Sequence, residues 1–428
     1  MNLLQIQPLD PIMIRDGRPF DTTPGVRAHT LMDVSPSVLS GTIRTLISKI
    51  SSDSNYNSKA VKLSQNEQIS KIIVRGPLYE RNGIVYYPIP QDVSFYEENN
   101  SLLVSVRRPM KLKEGEGYYG TGRNGLHNNL WPAVNSQDRK AAKAAPAYMS
   151  AELMTKWLTC SLSEQEWKLE LERWSESQNE PEYSVSRGVH FQEKVQDDVK
   201  TVHFMAPFER QERVHTAIDT ESYVAKDQAL YSTESLVLPD DLKLLADVDM
   251  KHSNIEWPTG LSEVHSFGGK RRLAHFSEST NEQHWTCPVE IKQALDNDTR
   301  YIRMVLATPA YFSKGWIPGW LNENLVCEDF NGTGVGLQLR WACVPRWQPI
   351  SGWNHTNKEK AVRRMVPAGS VYFFEVTDGN PRNLVEKLWL QSVSDRNRRK
   401  EAFDSEDGFG LALWGKWEPS NEERGERV

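Results

Sequence analysis

The amino-acid sequence predicts an α+β protein assembled from two similar units. Near the C-terminus, residues 370–376 have the composition of a buried strand, residues 383–390 show the periodicity of an amphipathic helix, and residues 409–417 are typical of a last strand. Near the N-terminus, a short apolar segment at residues 12–14 suggests a strand and precedes a helical pattern that begins at residue 36. Strand, helix and strand in succession make half of a ferredoxin-like unit. The predicted fold is therefore a tandem of ferredoxin-like (RRM-like) domains with loop and helical insertions.

The 428 residues are enough for two domains with substantial cores. We expect an N-terminal domain over residues 1–200, with an insertion around residues 110–180, and a C-terminal domain over residues 201–428 that ends in a glycine-containing loop and the last strand. No apolar run approaches the roughly 20 residues that a membrane helix needs. The N-terminus also lacks the features of a secretory signal, so a cytoplasmic location is the default expectation.

The start of the chain combines a basic turn with a helix start signal. Arg15 and Arg18 flank a glycine turn directly after the apolar segment. Ser35 is suited to cap a helix whose apolar stripe leaves Ser40 and Arg44 on its polar side. Cations beside a helix N-terminus add to its partial positive charge and favour an anion site. The alternative is a structural salt bridge between one arginine and the intervening aspartate.

The remaining elements follow from hydrophobic periodicity and from the placement of glycine and proline. Strands are predicted at residues 69–77, 83–90, 229–238 and 303–308, helices at residues 150–158 and 163–174, a linker at residues 176–182, and an exposed glycine-rich loop at residues 112–130.

Composition and motifs exclude several function classes. A net charge of -6 argues against a protein that coats nucleic acid indiscriminately, although basic clusters leave room for a local site. The 4 cysteines are scattered without a C-x-x-C pair, which indicates neither a disulfide framework nor a zinc site. No phosphate loop, nucleophile elbow or paired-histidine metal motif is present, so we expect no cofactor and no metal.

Three segments in the second half combine glycines with cations or aromatic residues. Residues 267–272 carry two glycines and three consecutive cations. Arg363 and Arg364 precede a predicted strand, where the alternative is a solvated charge pair. Residues 408–410 are a Gly-Phe-Gly turn, and the alternative there is a tight turn whose Phe409 fills the core. A dense tryptophan set is assigned to core and protein interface, and it comprises Trp316, Trp320, Trp341, Trp347 and Trp353.

The opening of the chain and these segments resemble the RAMP superfamily of CRISPR proteins, and they are most similar to the family of third subunits of the type III-B Cmr complex. The similarity extends over nearly the whole chain in the expected order. Its further blocks are residues 213–219 with 229–234, 267–272, 306–309 with 315–320, 363–372 and 408–417.

The resemblance implies a non-catalytic subunit that binds the 5′ handle of a CRISPR RNA (crRNA). Such a subunit caps the foot of the effector complex and contacts the large polymerase-like subunit and a backbone subunit. A glycine-rich loop near the C-terminus approaches the RNA in this superfamily, since glycine has no Cβ to hold a phosphate away. The candidate RNA-binding residues are Arg15, Arg18, Ser40, Arg44, Gly268, Gly269, Lys270, Arg271, Arg272, Arg363, Arg364, Gly408, Phe409 and Gly410.

Two other functions compete with this interpretation. A guide-processing RAMP endoribonuclease needs a general base near the RNA, for which His29 is the candidate. The alternative for His29 is a loop histidine that hydrogen-bonds the backbone. A tryptophan-rich carbohydrate-binding module would explain the aromatic residues but not the basic glycine segments.

Overall fold

The computed structural model describes residues 1–16, 25–52, 67–99, 101–113, 130–135, 139–179, 202–219, 221–351, 362–395 and 407–420. Arg18, Trp353 and most of the predicted loop at residues 112–130 lie outside this part of the chain.

Strands make up most of the regular structure. The strands are β1 (Asn2–Pro8), β2 (Arg27–Ala28), β3 (Ile73–Arg81), β4 (Ile84–Pro88), β5 (Val93–Glu98), β6 (Ser101–Pro109), β7 (Ala133–Asn135), β8 (Tyr148–Ser150), β9 (Phe204–Met205), β10 (Glu209–Ile218), β11 (Ala225–Val237), β12 (Leu242–Asp249), β13 (Ser262–Ser266), β14 (Leu273–Ser279), β15 (Tyr301–Leu306), β16 (Val326–Cys327), β17 (Gly336–Cys343), β18 (Gln348–Ile350), β19 (Arg363–Met365), β20 (Val371–Asp378) and β21 (Ala412–Lys416).

The helices with assigned bounds are α1 (Pro36–Ser52), α2 (Ala151–Leu158), α3 (Glu164–Asn179), α4 (Val289–Ala294) and α5 (Arg382–Leu388). The predicted helix starts are confirmed at α1, where proline occupies the first position, and at α2, where Ser150 Oγ accepts from Leu153 N at 3.3 Å. Among the helices of the described residues, none combines the length and the hydropathy required to cross a lipid bilayer.

The larger sheet contains eight strands in the order β13-β14-β1-β12-β3-β4-β8-β9. Strand β1 pairs antiparallel with both β12 and β14, and β12 pairs antiparallel with β3. The apolar stripe of α1 packs on this sheet, because Leu39 and Ile43 join a core cluster with Leu4 and Ile6, and all four side chains are buried.

The smaller main sheet has the order β16-β17-β20-β15-β21, with α5 between β20 and β21 along the chain. Its central strands β15 and β20 are almost entirely buried, and their apolar side chains share one cluster with α2 and α3. A mixed α+β architecture with antiparallel sheets is therefore present.

Smaller ribbons project from these sheets. Strands β10 and β11 form a long antiparallel ribbon, and the short β2 joins β11 in parallel. Strands β5, β6 and β7 form a second small sheet, and β18 pairs with β19. Strand β10 is exposed along most of its length, so this ribbon stands out from the fold.

Several predicted boundaries were wrong. Residues 12–14 are not a strand: Ile12 makes an isolated bridge with Leu236, and the first strand is β1. Strand β3 begins at Ile73 and not at residue 69, and the last strand begins at Ala412 and not at residue 409. Residues 176–179 of the predicted linker belong to α3.

The domain division at residue 200 stays a prediction. Strand pairing puts residues 242–279 in the same sheet as β1, and the smaller main sheet begins at Tyr301. A division drawn from the sheets alone would therefore fall between residues 279 and 301.

Residues 407–410 connect the two main sheets, and we call them the junction segment. Asp407 Oδ1 accepts from Ser40 Oγ at 3.0 Å and from Arg44 Nη1 at 2.7 Å. Arg44 also donates through Nε and Nη2 to the carbonyl oxygen of Ile72, at 3.1 and 2.7 Å. The helix α1 and the start of β3 are thus tied to a segment that leads into β21.

The glycines of the junction segment are close to backbone. A Cβ on Gly408 would lie 2.6 Å from the carbonyl oxygen of Gly76 in β3, and the φ of Gly408 is +79°. The side chain of Phe409 is fully buried and packs with Ile350 and Met365 of the β18–β19 pair. This part of the chain is therefore a close-packed contact between β3, β18 and β19.

We predict that Asp407→Ala lowers the free energy of unfolding by about 3 kcal/mol, because it removes a buried carboxylate that pairs with the largely buried Arg44 guanidinium. The matched control is Asp241→Ala, since Asp241 pairs with Arg81 at an exposed position, where a pair is worth ~0–1 kcal/mol. Urea unfolding followed by tryptophan fluorescence measures both. Equal losses in the two variants would contradict the role given to the junction segment.

Candidate RNA interface

The turn between β13 and β14 packs on the backbone that precedes Arg15. Phe267 is buried, and its N–H donates to the carbonyl oxygen of Arg272 at 2.6 Å, which closes the turn. The N–H of Gly269 donates to the carbonyl oxygen of Met13 at 2.7 Å. The structure therefore places residues 267–272 beside the N-terminal segment, as the shared role predicted for them requires.

The two glycines of this turn differ in their surroundings. Gly268 has a φ of +77°, and a Cβ there would lie 2.7 Å from the Met13 carbonyl oxygen. A Cβ on Gly269 would meet the same oxygen at 3.4 Å, and no left-handed φ is present there. Gly268 is thus required by the fold, whereas Gly269 is exposed and leaves room for a ligand backbone.

Lys270 and Arg271 follow with φ values of 57° and 54°, so two consecutive non-glycine residues are left-handed. Both residues are exposed. Left-handed conformations of such residues cost about 1–3 kcal/mol each and persist only where the surroundings impose them. The hydrogen bonds of Phe267 and Gly269 supply that constraint, and the turn displays its cations in a fixed direction.

The β10–β11 ribbon completes this basic surface. His215 pairs with Tyr231 across the ribbon, and their rings stack with centroids 5.1 Å apart. Lys270 Nζ lies 3.2 Å from His215 Nε2, 3.3 Å from Thr233 Oγ1 and 5.5 Å from the centroid of the Tyr231 ring. The side chains of the turn and the ribbon therefore meet.

The electrostatics of this surface are dominated by positive charge. Burial lowers the pKa of His215, and the charges of Lys270, Arg213 and Arg272 lower it further. Burial lowers the pKa of Lys270 as well, and Arg272 adds to that effect. Within the described residues, no carboxylate forms an ion pair with Lys270, Arg271, Arg272 or Arg213. We call these four cations with His215 the basic cluster.

The opposite face of the ribbon is neutralised. Glu234 is buried and contacts Arg27 Nη2 at 2.6 Å and Arg210 Nη1 at 3.8 Å. His29 Nδ1 lies 3.2 Å from the same carboxylate, so a side chain rather than the backbone engages it. Because side chains of adjacent strand residues leave opposite faces, Glu234 does not neutralise the side of Thr233 and Lys270.

Of the other predicted residues, Arg15 lies near the turn, and its backbone forms an isolated bridge with Thr30. The rest of those that the structure describes are held by protein groups. Ser40 and Arg44 bind Asp407, and Gly408, Phe409 and Gly410 belong to the junction segment, with Phe409 in the core as in the alternative interpretation. Contact of these residues with RNA stays a prediction.

Arg363 and Arg364 stack on aromatic rings near the tryptophan set. The Arg364 guanidinium lies 4.8 Å from the Trp347 ring centroid, and Arg363 lies 4.9 Å from that of Tyr311. Trp347 is 42% exposed and Trp316 is 39% exposed. Trp320 and Trp341 instead pack against the main core cluster, so the set divides between core and surface.

The family model for CRISPR-associated protein Cas_Cmr3 matches residues 4–417. The chain belongs to the Cas_Cmr3 family. It is therefore a component of a type III CRISPR effector, and the resemblance found in the sequence is confirmed. No curated protein matches the chain.

Solved structures with a similar chain come from related assemblies. A chain of the type III-B Cmr-beta complex bound to cognate target RNA and AMPPnP is 15% identical, with a TM-score of 0.42 over 87% of this chain and 86% of that chain. A second structure of Cmr-beta bound to cognate target RNA gives 14% identity and a TM-score of 0.44 over the same shares. A chain of the Csm3–Csm4 subcomplex of the type III-A interference complex is 9% identical, with a TM-score of 0.35 over 87% of this chain and 92% of that chain.

In this Cas_Cmr3 family member, sequence analysis did not select the ribbon side chains of the basic cluster. Arg213, His215, Tyr231 and Thr233 lie in segments that were noted only for family resemblance. The usable signal was the period-2 spacing of Arg213 with His215 and of Tyr231 with Thr233, which puts each pair on one face of its strand. The approach of Lys270 is a tertiary contact that spacing does not reveal.

We predict that Gly268→Ala lowers the free energy of unfolding by about 2 kcal/mol, since alanine is strained at a left-handed φ and its Cβ would clash with the Met13 carbonyl. Gly269→Ala is the matched control and should stay within ~0.5 kcal/mol of the parent. Urea unfolding of the two variants checks the difference. A Gly268 variant as stable as the control would show that the turn does not need its glycine.

Proposed function

We propose that this protein binds the 5′ handle of the crRNA as a non-catalytic subunit at the foot of a type III-B effector complex. The observation that carries the proposal is the basic cluster, in which four cations gather without a carboxylate partner among the described residues. Phosphate neutralisation supplies most of the affinity for nucleic acid. A surface cluster without carboxylate partners in the part of the chain that the structure describes is therefore suited to an RNA backbone.

The cluster is local, and this fits a subunit that binds one end of a guide. The chain as a whole carries a net charge of -6, which opposes extended contact with nucleic acid. Arg15 lies two residues after Met13, whose carbonyl oxygen accepts the Gly269 hydrogen bond, so its backbone is near the turn. Aromatic rings at His215 and Tyr231 add a surface on which an unpaired base can stack.

We also infer that each main sheet is a ferredoxin-like unit. In order of appearance, β1, β3, β12 and β14 lie in the spatial order 4-1-3-2, and β15, β17, β20 and β21 lie in the same order. The crossover helices α1 and α5 occupy the positions expected of such units. The connection from β12 to β14 runs through β13.

The alternative function is a guide-processing endoribonuclease of the same superfamily. His29, its candidate base, contacts the buried Glu234 on the neutralised face of the ribbon and not the basic cluster. Metal-independent cleavage of repeat RNA by the purified chain, abolished by His29→Ala, would favour the enzyme over the scaffold.

Handle binding predicts a defined salt dependence. For Lys270→Ala and for Arg271→Ala, the log-log salt slope of handle-RNA affinity should fall by ~0.7, which corresponds to one lost phosphate contact on a single strand. Gly269→Val should weaken binding with the slope nearly unchanged, because it blocks close approach without removing charge. The measurement is handle-RNA binding by the assembled complex at several salt concentrations.

The control for this series is Arg81→Ala, which removes an exposed cation that is paired with Asp241 away from the cluster. It should leave both affinity and slope at the parental values. Parental binding by the Lys270 and Arg271 variants would refute the proposed site.

Contact with the large polymerase-like subunit is predicted at the exposed tryptophans. Trp347→Ala should weaken association of the chain with that subunit, since an exposed tryptophan beside a stacked arginine is typical of an interface hot spot. Tyr223→Ala is the control, because Tyr223 is 82% exposed at the far end of the β10–β11 ribbon. Co-purification without RNA measures the association, and equal recovery of both variants would place the interface elsewhere.

A further inference from the structure

Two polar atoms of the basic cluster and the Thr233 hydroxyl converge on one point. His215 Nε2 lies 2.9 Å from Thr233 Oγ1, and Lys270 Nζ lies 3.2 and 3.3 Å from these two atoms. An ammonium, a hydroxyl and an imidazole nitrogen can all donate to one acceptor. In the unliganded chain the imidazole must instead accept, since the Lys270 ammonium can only donate.

Each element around His215 contributes to its electrostatic surroundings. The strand β10 contributes Arg213, and the turn contributes Lys270 and Arg272, all of them cations. The facing strand β11 contributes the neutral Tyr231 and Thr233. These charges oppose protonation of the imidazole, and burial acts in the same direction on its pKa.

We propose that His215, Lys270 and Thr233 form a phosphodiester-binding site that takes up one proton when an RNA backbone binds. A phosphate oxygen placed between Nε2 and Nζ favours the imidazolium form, because an opposite charge within hydrogen-bond distance stabilises it. Both nitrogens then donate to the phosphate. This inference rests on the proposed function and adds to it a site residue, His215, and a pH dependence.

The ligand is an RNA phosphate and not a carboxylate peptide because of the rings beside it. His215 and Tyr231 stack at an interplanar angle of 21°, and Lys270 lies over the tyrosine face. A nucleotide can place its phosphate at the polar atoms and its base against this aromatic pair. An acidic side chain would interact with the positive charges but would not stack on the aromatic rings.

Proton uptake has a defined sign. The imidazole pKa is lowered in the free protein and is raised by the bound phosphate, so affinity increases as pH falls through the interval between these two values. One linked proton changes affinity by at most about tenfold per pH unit. Phosphodiesters themselves do not titrate in this range, so the dependence reports the protein.

The test compares His215→Gln with the parent and with His275→Gln. Glutamine retains a hydrogen-bonding nitrogen near the position of Nε2 but does not titrate. His275 is a histidine on β14 whose Nε2 lies 2.9 Å from Ser262 Oγ, so its variant is the matched control for the loss of a hydrogen-bonded imidazole. Binding of a labelled single-stranded uridine octamer and of handle RNA to the full chain is measured from pH 5.5 to 8 at constant ionic strength.

The parent and His275→Gln should gain affinity for the octamer as pH falls, by several-fold per unit, and His215→Gln should show a nearly flat profile. An equal pH slope in His215→Gln and the parent would overturn the inference, as would octamer binding no tighter than that of a polyglutamate of the same charge. A different result would contradict the proposed function alone. In that case the chain binds the octamer in a pH-dependent manner but binds handle RNA no more tightly than the octamer.

Discussion

The hydrogen-bonded contact of Asp407 with Ser40 and Arg44 is the constraint on which the arrangement of the two sheets depends. It joins a helix near the N-terminus to the approach of the last strand, across more than 360 residues of chain. Gly408 then lies against β3, and Phe409 enters the small core beside β18 and β19. Glycine is needed at 408 because the partner there is protein backbone and not a ligand.

A cation buried in the main core has a carboxylate partner. Arg303 is buried, contacts Asp92 Oδ2 at 3.0 Å and stacks on Trp157. Burial raises the pKa of Asp92 to about 6 although Arg303 acts against it. The folded chain therefore binds this proton more tightly than the unfolded chain, and the contribution of Asp92 to stability increases as pH falls from neutral through about 6 toward 4.

Local patterns in the sequence were sufficient for elements whose cause is local. The helix α1 follows from Pro36 and an apolar stripe, and α2 follows from the helical spacing of its apolar residues. The strand prediction at residues 12–14 was wrong because it relied on their apolar character alone. Ile12 is buried, but it pairs with Leu236 only through an isolated bridge. Phe409 allowed two interpretations, and the choice depended on Ile350 and Met365, which are distant in sequence.

Only part of the basic cluster could be predicted, because only part of it has a local cause in the sequence. Composition identified residues 268–272, because glycines beside consecutive cations are visible in any sequence. The ribbon side of the site depends on the register that pairs His215 with Tyr231 and on the tertiary approach of Lys270. Neither the register nor the tertiary contact can be predicted from the residue spacing within one segment.

The strained turn gives the proposed site a preformed backbone. Lys270 and Arg271 are held left-handed by the hydrogen bonds of Phe267 and Gly269, so their backbone is ordered before any ligand arrives. Ordering on binding is a major cost of association, and a preformed turn reduces it. The same rigidity keeps Lys270 close to His215, where the charge of Lys270 lowers the pKa of the imidazole, while burial and Arg272 lower the pKa of Lys270. In the proposed site, an anion between the two nitrogens would favour the charged form of both side chains, because an opposite charge within hydrogen-bond distance stabilises a cation.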